Sequence, residues 1–215
     1  MTSQPAGPAS SGPAVPSPDH LVVLVRHGET EWAASGRHTG LTDIPLTARG
    51  KAQAVGLGPA IADTLGGHPP ALVLTSPLTR AAHTAELAGL TATVDADLHE
   101  VDYGDYEGLT TPEIRERVPG WTVWTGDLPG GETLAQVAER ADRVLVRVRA
   151  APGNAVLVAH GHLLRILAAR WLGLPPDAGR LFALGTAAIS VLGTEHESSV
   201  VVRWNLPNPA ARGHR

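Results

Sequence analysis

Three short apolar runs constrain this chain more than any other feature. Leu21-Val22-Val23-Leu24-Val25, Ala71-Leu72-Val73-Leu74-Thr75 and Ala155-Val156-Leu157-Val158-Ala159 are continuous and rich in branched side chains. Such runs read as strands buried on both faces, as in a parallel sheet. Helix signals lie between them. Thr47 can cap a helix running to about Leu65 that Pro59 should kink or shorten, and Ser76-Pro77 resembles a cap followed by proline at the first helical position. Leu134, Val137, Ala138, Ala141, Val144, Leu145 and Val148 recur at helical spacing, with Arg140, Arg143, Arg147 and Arg149 on what reads as a solvated side. A further helix should run from His160 to about Gly173. Thr91 to Val94 reads as another strand, and Thr186–Leu192 with Ser198–Trp204 as a closing hairpin. This alternation favours an α/β layer architecture.

Each apolar run delivers a cationic or imidazole group just beyond its end. The first leads into Arg26 and His27, the second into Arg80 in the opening turn of the following helix, and the third into His160. If the strands are parallel neighbours, all four groups meet at one sheet edge, where open α/β sheets bind ligands. Burying cations there is costly unless an anion is held, and helix N-termini add backbone donors. A phosphoryl group is the natural occupant. Gly28 would let it approach the backbone closely. Any one of these signals alone is weak; their repetition at three strand ends gives them weight.

With 215 residues, 43% of them hydrophobic, the chain suffices for one well-cored domain. Residues 1–18, rich in Pro, Ala, Ser and Gly, read as a disordered tail, 19–207 as the domain and 208–215 as a second tail. The first segment has neither the basic residues nor the apolar core of a targeting signal, so a cytoplasmic location is expected. A net charge of -4 argues against nucleic acid as a partner, and no apolar run is long enough to span a membrane. Cysteine is absent, which excludes thiolate chemistry.

Several ordered motifs extend the pattern. Arg26-His27-Gly28-Glu29-Thr30 is followed by Gly36-Arg37-His38-Thr39-Gly40, by Asp43 with Pro45-Leu46-Thr47, and by Ser76-Pro77-Leu78-Thr79-Arg80-Ala81. Then come Leu98-His99-Glu100-Val101-Asp102-Tyr103-Gly104-Asp105-Tyr106-Glu107-Gly108, Gly130-Gly131-Glu132-Thr133 and His160-Gly161-His162. In this order the chain resembles the histidine phosphatase superfamily, also called phosphoglycerate mutase-like, over about residues 20 to 204. The acidic and tryptophan-containing segments look closest to acid-phosphatase-like members. The resemblance implies a three-layer αβα sandwich with a mostly parallel central sheet. It also implies a small phosphomonoester substrate, no cofactor or metal, and a possible homodimer.

By the same resemblance His27 is a nucleophile that forms a phosphohistidine, with Arg26, Arg80 and His160 clamping the phosphoryl oxygens. Physically, Arg26 should keep the imidazole neutral, and its second nitrogen should donate to a backbone carbonyl. Glu100 matches the family's proton donor, with Asp97, Asp102, Asp105 and Glu107 as competing carboxylates; Glu107 is expected to organise backbone amides. Thr39, Gly40 and Gly161 match substrate-pocket positions, although turn chemistry explains the glycines equally well. Trp121, Trp124, Tyr103 and Tyr106 either wall the pocket mouth or pack internally. Ala33 stands where many relatives have Asn after Trp32.

Alternatives differ in chemistry. A phosphoglycerate mutase needs strong recognition of a second anionic group, yet between Gly108 and Gly131 the only basic residues are Arg115 and Arg117. A noncatalytic phospholigand-binding module has no use for an acid such as Glu100. A metallohydrolase is disfavoured by the two-residue spacing of His160 and His162. A phosphatase with an acidic optimum is the preferred expectation.

Overall fold

The computed structural model describes residues 20–208. The expected N-terminal tail, and the C-terminal one beyond Asn208, lie outside the described residues. Asn208 itself is buried, and its amide donates to Gln53 O.

Among the described residues six strands form one sheet: β1 (Val22–Arg26), β2 (Leu72–Thr75), β3 (Thr93–Val94), β4 (Ala155–Ala159), β5 (Ile189–Glu195) and β6 (Ser198–Leu206), in the order β3-β2-β4-β1-β5-β6. The first four are mutually parallel, β5 pairs antiparallel with β1, and β6 pairs antiparallel with β5. The three apolar runs are thus the adjacent central strands. Their registers align their ends: Arg26 lies beside Ala159, and Thr75 beside Val158. His27 N donates to Ala159 O at 2.9 Å and Ser76 N to Val158 O at 3.0 Å. His27, Ser76 and His160 consequently emerge together at one edge.

Among the described residues are seven α-helices: α1 (Glu31–Ser35), α2 (Ala48–Val55), α3 (Leu57–Thr64), α4 (Thr79–Leu87), α5 (Thr111–Arg117), α6 (Leu134–Ala150) and α7 (Gly161–Trp171). Strand alternation sorts the core into two. Val23, Val25, Val156 and Val158 pack with Leu57, Ile61, Ala81 and Ala85 from α3 and α4. Val22, Leu24, Ala155 and Leu157 point the other way, onto Val137, Val144, Leu163 and Leu167 from α6 and α7. This is a three-layer αβα sandwich.

Three expectations need correction. The helix expected from Thr47 to Leu65 is two helices broken at Gly56, with Thr47 capping the first by accepting from Gly50 N and Pro59 in the opening turn of the second. Ser76-Pro77 does not start α4, which begins at Thr79. Ser76 remains tied to the sheet, while the Asp43 carboxylate accepts from Thr79 N at 2.9 Å and supplies the missing cap. Arg140 does not face solvent. It is buried, donating to Glu132 Oε1 and Oε2 and to the carbonyls of Asp97, His99 and Glu100.

Candidate active site

The sheet edge opens into a cavity of about 170 Å3 lined by Arg26, His27, Ala33, Arg37, His38, Thr39, Glu100, Tyr103, Gly161, His162, Arg165 and Leu184, with Gly36 at its margin. His27 lies at its wall, held by the ladder hydrogen bond to β4. Its Nδ1 is 2.7 Å from Gly28 O. A carbonyl can only accept, so Nδ1 carries the proton and Nε2 keeps its lone pair. Burial, then the charges of Arg26 and Arg80, push the His27 pKa well below 6.5, while the Gly28 hydrogen bond opposes them. The ring is neutral near pH 7.

Arg26 reaches the cavity beside His27. Its Nη1 donates to Leu184 O at 2.5 Å, and its buried Nε has no hydrogen-bond partner. An unpartnered buried guanidinium N–H is expensive, and an anion in the cavity would relieve the cost. Gly161, the first residue of α7, lies against this guanidinium.

Among the described residues Glu100 is the only carboxylate lining the cavity. Its Oε1 accepts from Val101 N at 3.0 Å and Leu163 N at 2.9 Å, and its Oε2 from His162 N at 3.0 Å. It thereby caps α7, whose N-cap residue His160 makes no side-chain cap of its own. One lone-pair position on Oε2 remains. Arg140 and Glu132 hold the segment from behind: Arg140 binds Glu100 O, and Glu132 Oε2 accepts from Asp102 N.

Arg80 and His160 sit deeper than the sequence suggests. Both are fully buried, and neither lines the cavity. Arg80 Nε donates to His160 Nδ1 at 3.2 Å, and its terminal nitrogens to the carbonyls of Thr39, Gly40 and Thr42. His160 Nδ1 must then accept, leaving Nε2–H to donate to Ser76 Oγ at 2.7 Å. Burial first, then Arg80, lowers the His160 pKa well below 6.5. The His27 and His160 ring centroids are 5.2 Å apart. In this structure Arg80 anchors the 39–42 loop and contributes charge, and His160 braces it.

The pocket expectations divide. Thr39 and Gly161 line the cavity, whereas Gly40 is buried, with its N–H on Glu107 Oε1 and its carbonyl on Arg80. Glu107 organises this loop by also accepting from Thr42 N. Gly28 is not a ligand platform. A side chain there would strike Gly50 O, because α2 lies directly against the motif backbone. Tyr103 lines the cavity, Tyr106 and Trp121 are core residues, and Trp124 packs at a tilt against His162 with centroids 5.1 Å apart.

Sequence reasoning assigned no role to Arg37, His38, His162 or Arg165, all of which reach the cavity. Tyr103 Oη is 2.6 Å from His162 Nδ1. Burial pushes the Tyr103 pKa well above 10 and the His162 pKa well below 6.5, so the phenol donates and the imidazole accepts. Arg165 follows His160 by five residues, a spacing that could have flagged it.

A family model, the histidine phosphatase superfamily (branch 1), matches residues 22–207. The chain belongs to that superfamily. Among histidine phosphatases, an acid phosphatase of Mycobacterium tuberculosis is 43% identical over 201 residues, covering 91% of this chain and 98% of that protein. A sedoheptulose 1,7-bisphosphatase of Saccharomyces cerevisiae is 36% identical over 190 residues, covering 74% of this chain and 70% of that one. The solved structure of the M. tuberculosis open reading frame Rv3214 superposes with a TM-score of 0.84 at 41% identity, over 88% of this chain and 99% of that chain. Histidine phosphatases of this kind support phosphatase chemistry here. No helix among the described residues is long and apolar enough to cross a membrane.

Proposed function

We propose that this chain hydrolyses small phosphomonoesters without a metal ion, through a phosphohistidine on His27. The state of His27 carries the reading: a buried, neutral imidazole with Nδ1–H fixed on Gly28 O and a guanidinium at its side. Such a ring is a nucleophile needing no base to activate it. Nε2 attacks phosphorus, the ester P–O bond breaks, and Glu100 donates the proton that the alkoxide takes. Water then attacks the phosphohistidine, giving its proton to the Glu100 carboxylate as the P–N bond breaks. Neutral His27 is regenerated.

Arg26 is the direct phosphoryl ligand in this reading, since its Nε is free and its charge lies on the cavity wall. Arg80 and His160 act from behind, by charge and by holding the loop. Direct contact from Arg80 requires it to exchange the Thr39, Gly40 or Thr42 carbonyl for a phosphoryl oxygen. The cavity volume falls below the roughly 300–1,000 Å3 typical of sites for drug-sized ligands, which favours small substrates. A cytoplasmic location and a possible homodimer belong to the same proposal, checked by cell fractionation and sedimentation.

The test is phosphate release from a panel of phosphomonoesters in the presence of EDTA, beside an isomerisation assay on 3-phosphoglycerate. Release by the wild type and none by His27→Ala is the expected result. Isomerisation without release would make the enzyme a mutase. Equal affinity with no turnover of either kind would leave a binding module.

A further inference from the structure

Two cations lining the cavity, Arg37 and Arg165, are not used by the phosphoryl chemistry, and Arg37 is paired with Glu113. Arg165 lies on α7 one turn beyond Gly161, on the same helix face, about 6 Å further along the helix. Gly161 packs on the Arg26 guanidinium, and both Arg26 and Arg165 line the same cavity. Arg165 is held on two sides. Its Nε donates to Gly179 O at 3.1 Å, and its guanidinium lies over Trp124, with Cζ 4.5 Å from the ring centroid.

Its terminal nitrogens are different. Arg140, Arg143, Arg147, Arg170 and Arg180 each pair with a carboxylate, and Arg37 with Glu113. Neither terminal nitrogen of Arg165 has a hydrogen-bond or ion-pair partner among the described residues. Glu100 attracts it across the cavity without forming an ion pair and is already held by three N–H groups. The groups beside it, Tyr103 and His162, bear no charge near pH 7. A guanidinium fixed in orientation, with its two-pronged end open to a cavity, fits a carboxylate or a phosphate.

We propose that Arg165 binds a second anionic group on the substrate, a carboxylate or a second phosphate a few carbons from the ester being cleaved. The preferred substrates are then small phosphomonoesters bearing two anionic groups. The inference rests on the phosphomonoester reading above and names its substrate class.

The experiment compares 3-phosphoglycerate and glycerol 1,3-bisphosphate with glycerol 1-phosphate, which lacks the second anion. Preference is read as the kcat/KM ratio in the wild type, and as the affinity ratio in His27→Ala, which does not turn substrate over. A ratio of about 10- to 100-fold is expected for one charge-assisted recognition pair. Arg165→Gln should bring it close to one, and Arg165→Lys should restore part of it. Preference for only one of the two dianionic compounds identifies the second group as carboxylate or phosphate. Ratios near one in both the wild type and His27→Ala, or a preference that survives Arg165→Gln, overturn the inference. If no ester is hydrolysed yet the affinity ratio holds, the phosphatase reading fails and this one stands.

Discussion

His27 and Arg140 illustrate what a single side chain decides. His27 sits beyond a buried strand, and burial with two neighbouring guanidinium groups holds its pKa well below 6.5. In the proposed mechanism the basic form is the nucleophile, so lowering the pH from 7 to 6 should not cost kcat/KM through this group. An activity limb that falls with a pKa near 6.5 would show an ordinary, unperturbed histidine. Arg140 is a residue that sequence reasoning placed wrongly. Helical spacing put it outside the apolar stripe, but a guanidinium can satisfy several carbonyls at once, and here it closes the Asp97–Glu100 turn. Arg140→Met leaves those carbonyls and Glu132 unpaired, at a cost of about 3–5 kcal/mol. Urea unfolding should show that loss, and kcat should fall with it because Glu100 loses its support.

At the scale of elements, the central strands were readable because a strand covered on both faces has no polar alternation to disguise it. The packing supports their weight: Leu157 is fully buried between layers, and Leu157→Ala should cost about 2–5 kcal/mol by denaturant titration. Helix starts were less legible. The cap of α4 comes from Asp43, 36 residues away, and α7 is capped by Glu100, 62 residues away. No local pattern encodes such partners. Under the proposed mechanism Glu100 therefore couples catalysis to helix stability. Glu100→Ala should abolish turnover and also destabilise the fold by about 1–3 kcal/mol, because three backbone donors lose their acceptor. Unchanged stability would contradict the capping geometry.

Across the whole molecule, four histidines around one cavity share a direction. Burial is the largest cause at each of His27, His38, His160 and His162, and it lowers all four below 6.5, with His38 at about 4. The unfolded chain then binds more protons below pH 6.5 than the folded one. Stability is fully present above that pH and is lost as the pH falls through the window; for His38 this runs from 6.5 to about 4. Thermal unfolding should show Tm dropping from pH 7 to pH 5, even while His27 stays basic. The gathering of remote motifs at one edge was legible from three strand ends. The depth of each residue was not, because Arg80 and His160 satisfy one another and the 39–42 loop instead of facing the cavity. Most direct is the identity of the phosphorylated atom. Wild-type protein should be mixed with a phosphomonoester, quenched in alkali within a turnover, and digested for mass spectrometry. Phosphate on His27, at the nitrogen distal to Gly28 O, is the predicted result; phosphate on another residue, or none during active hydrolysis, would contradict it.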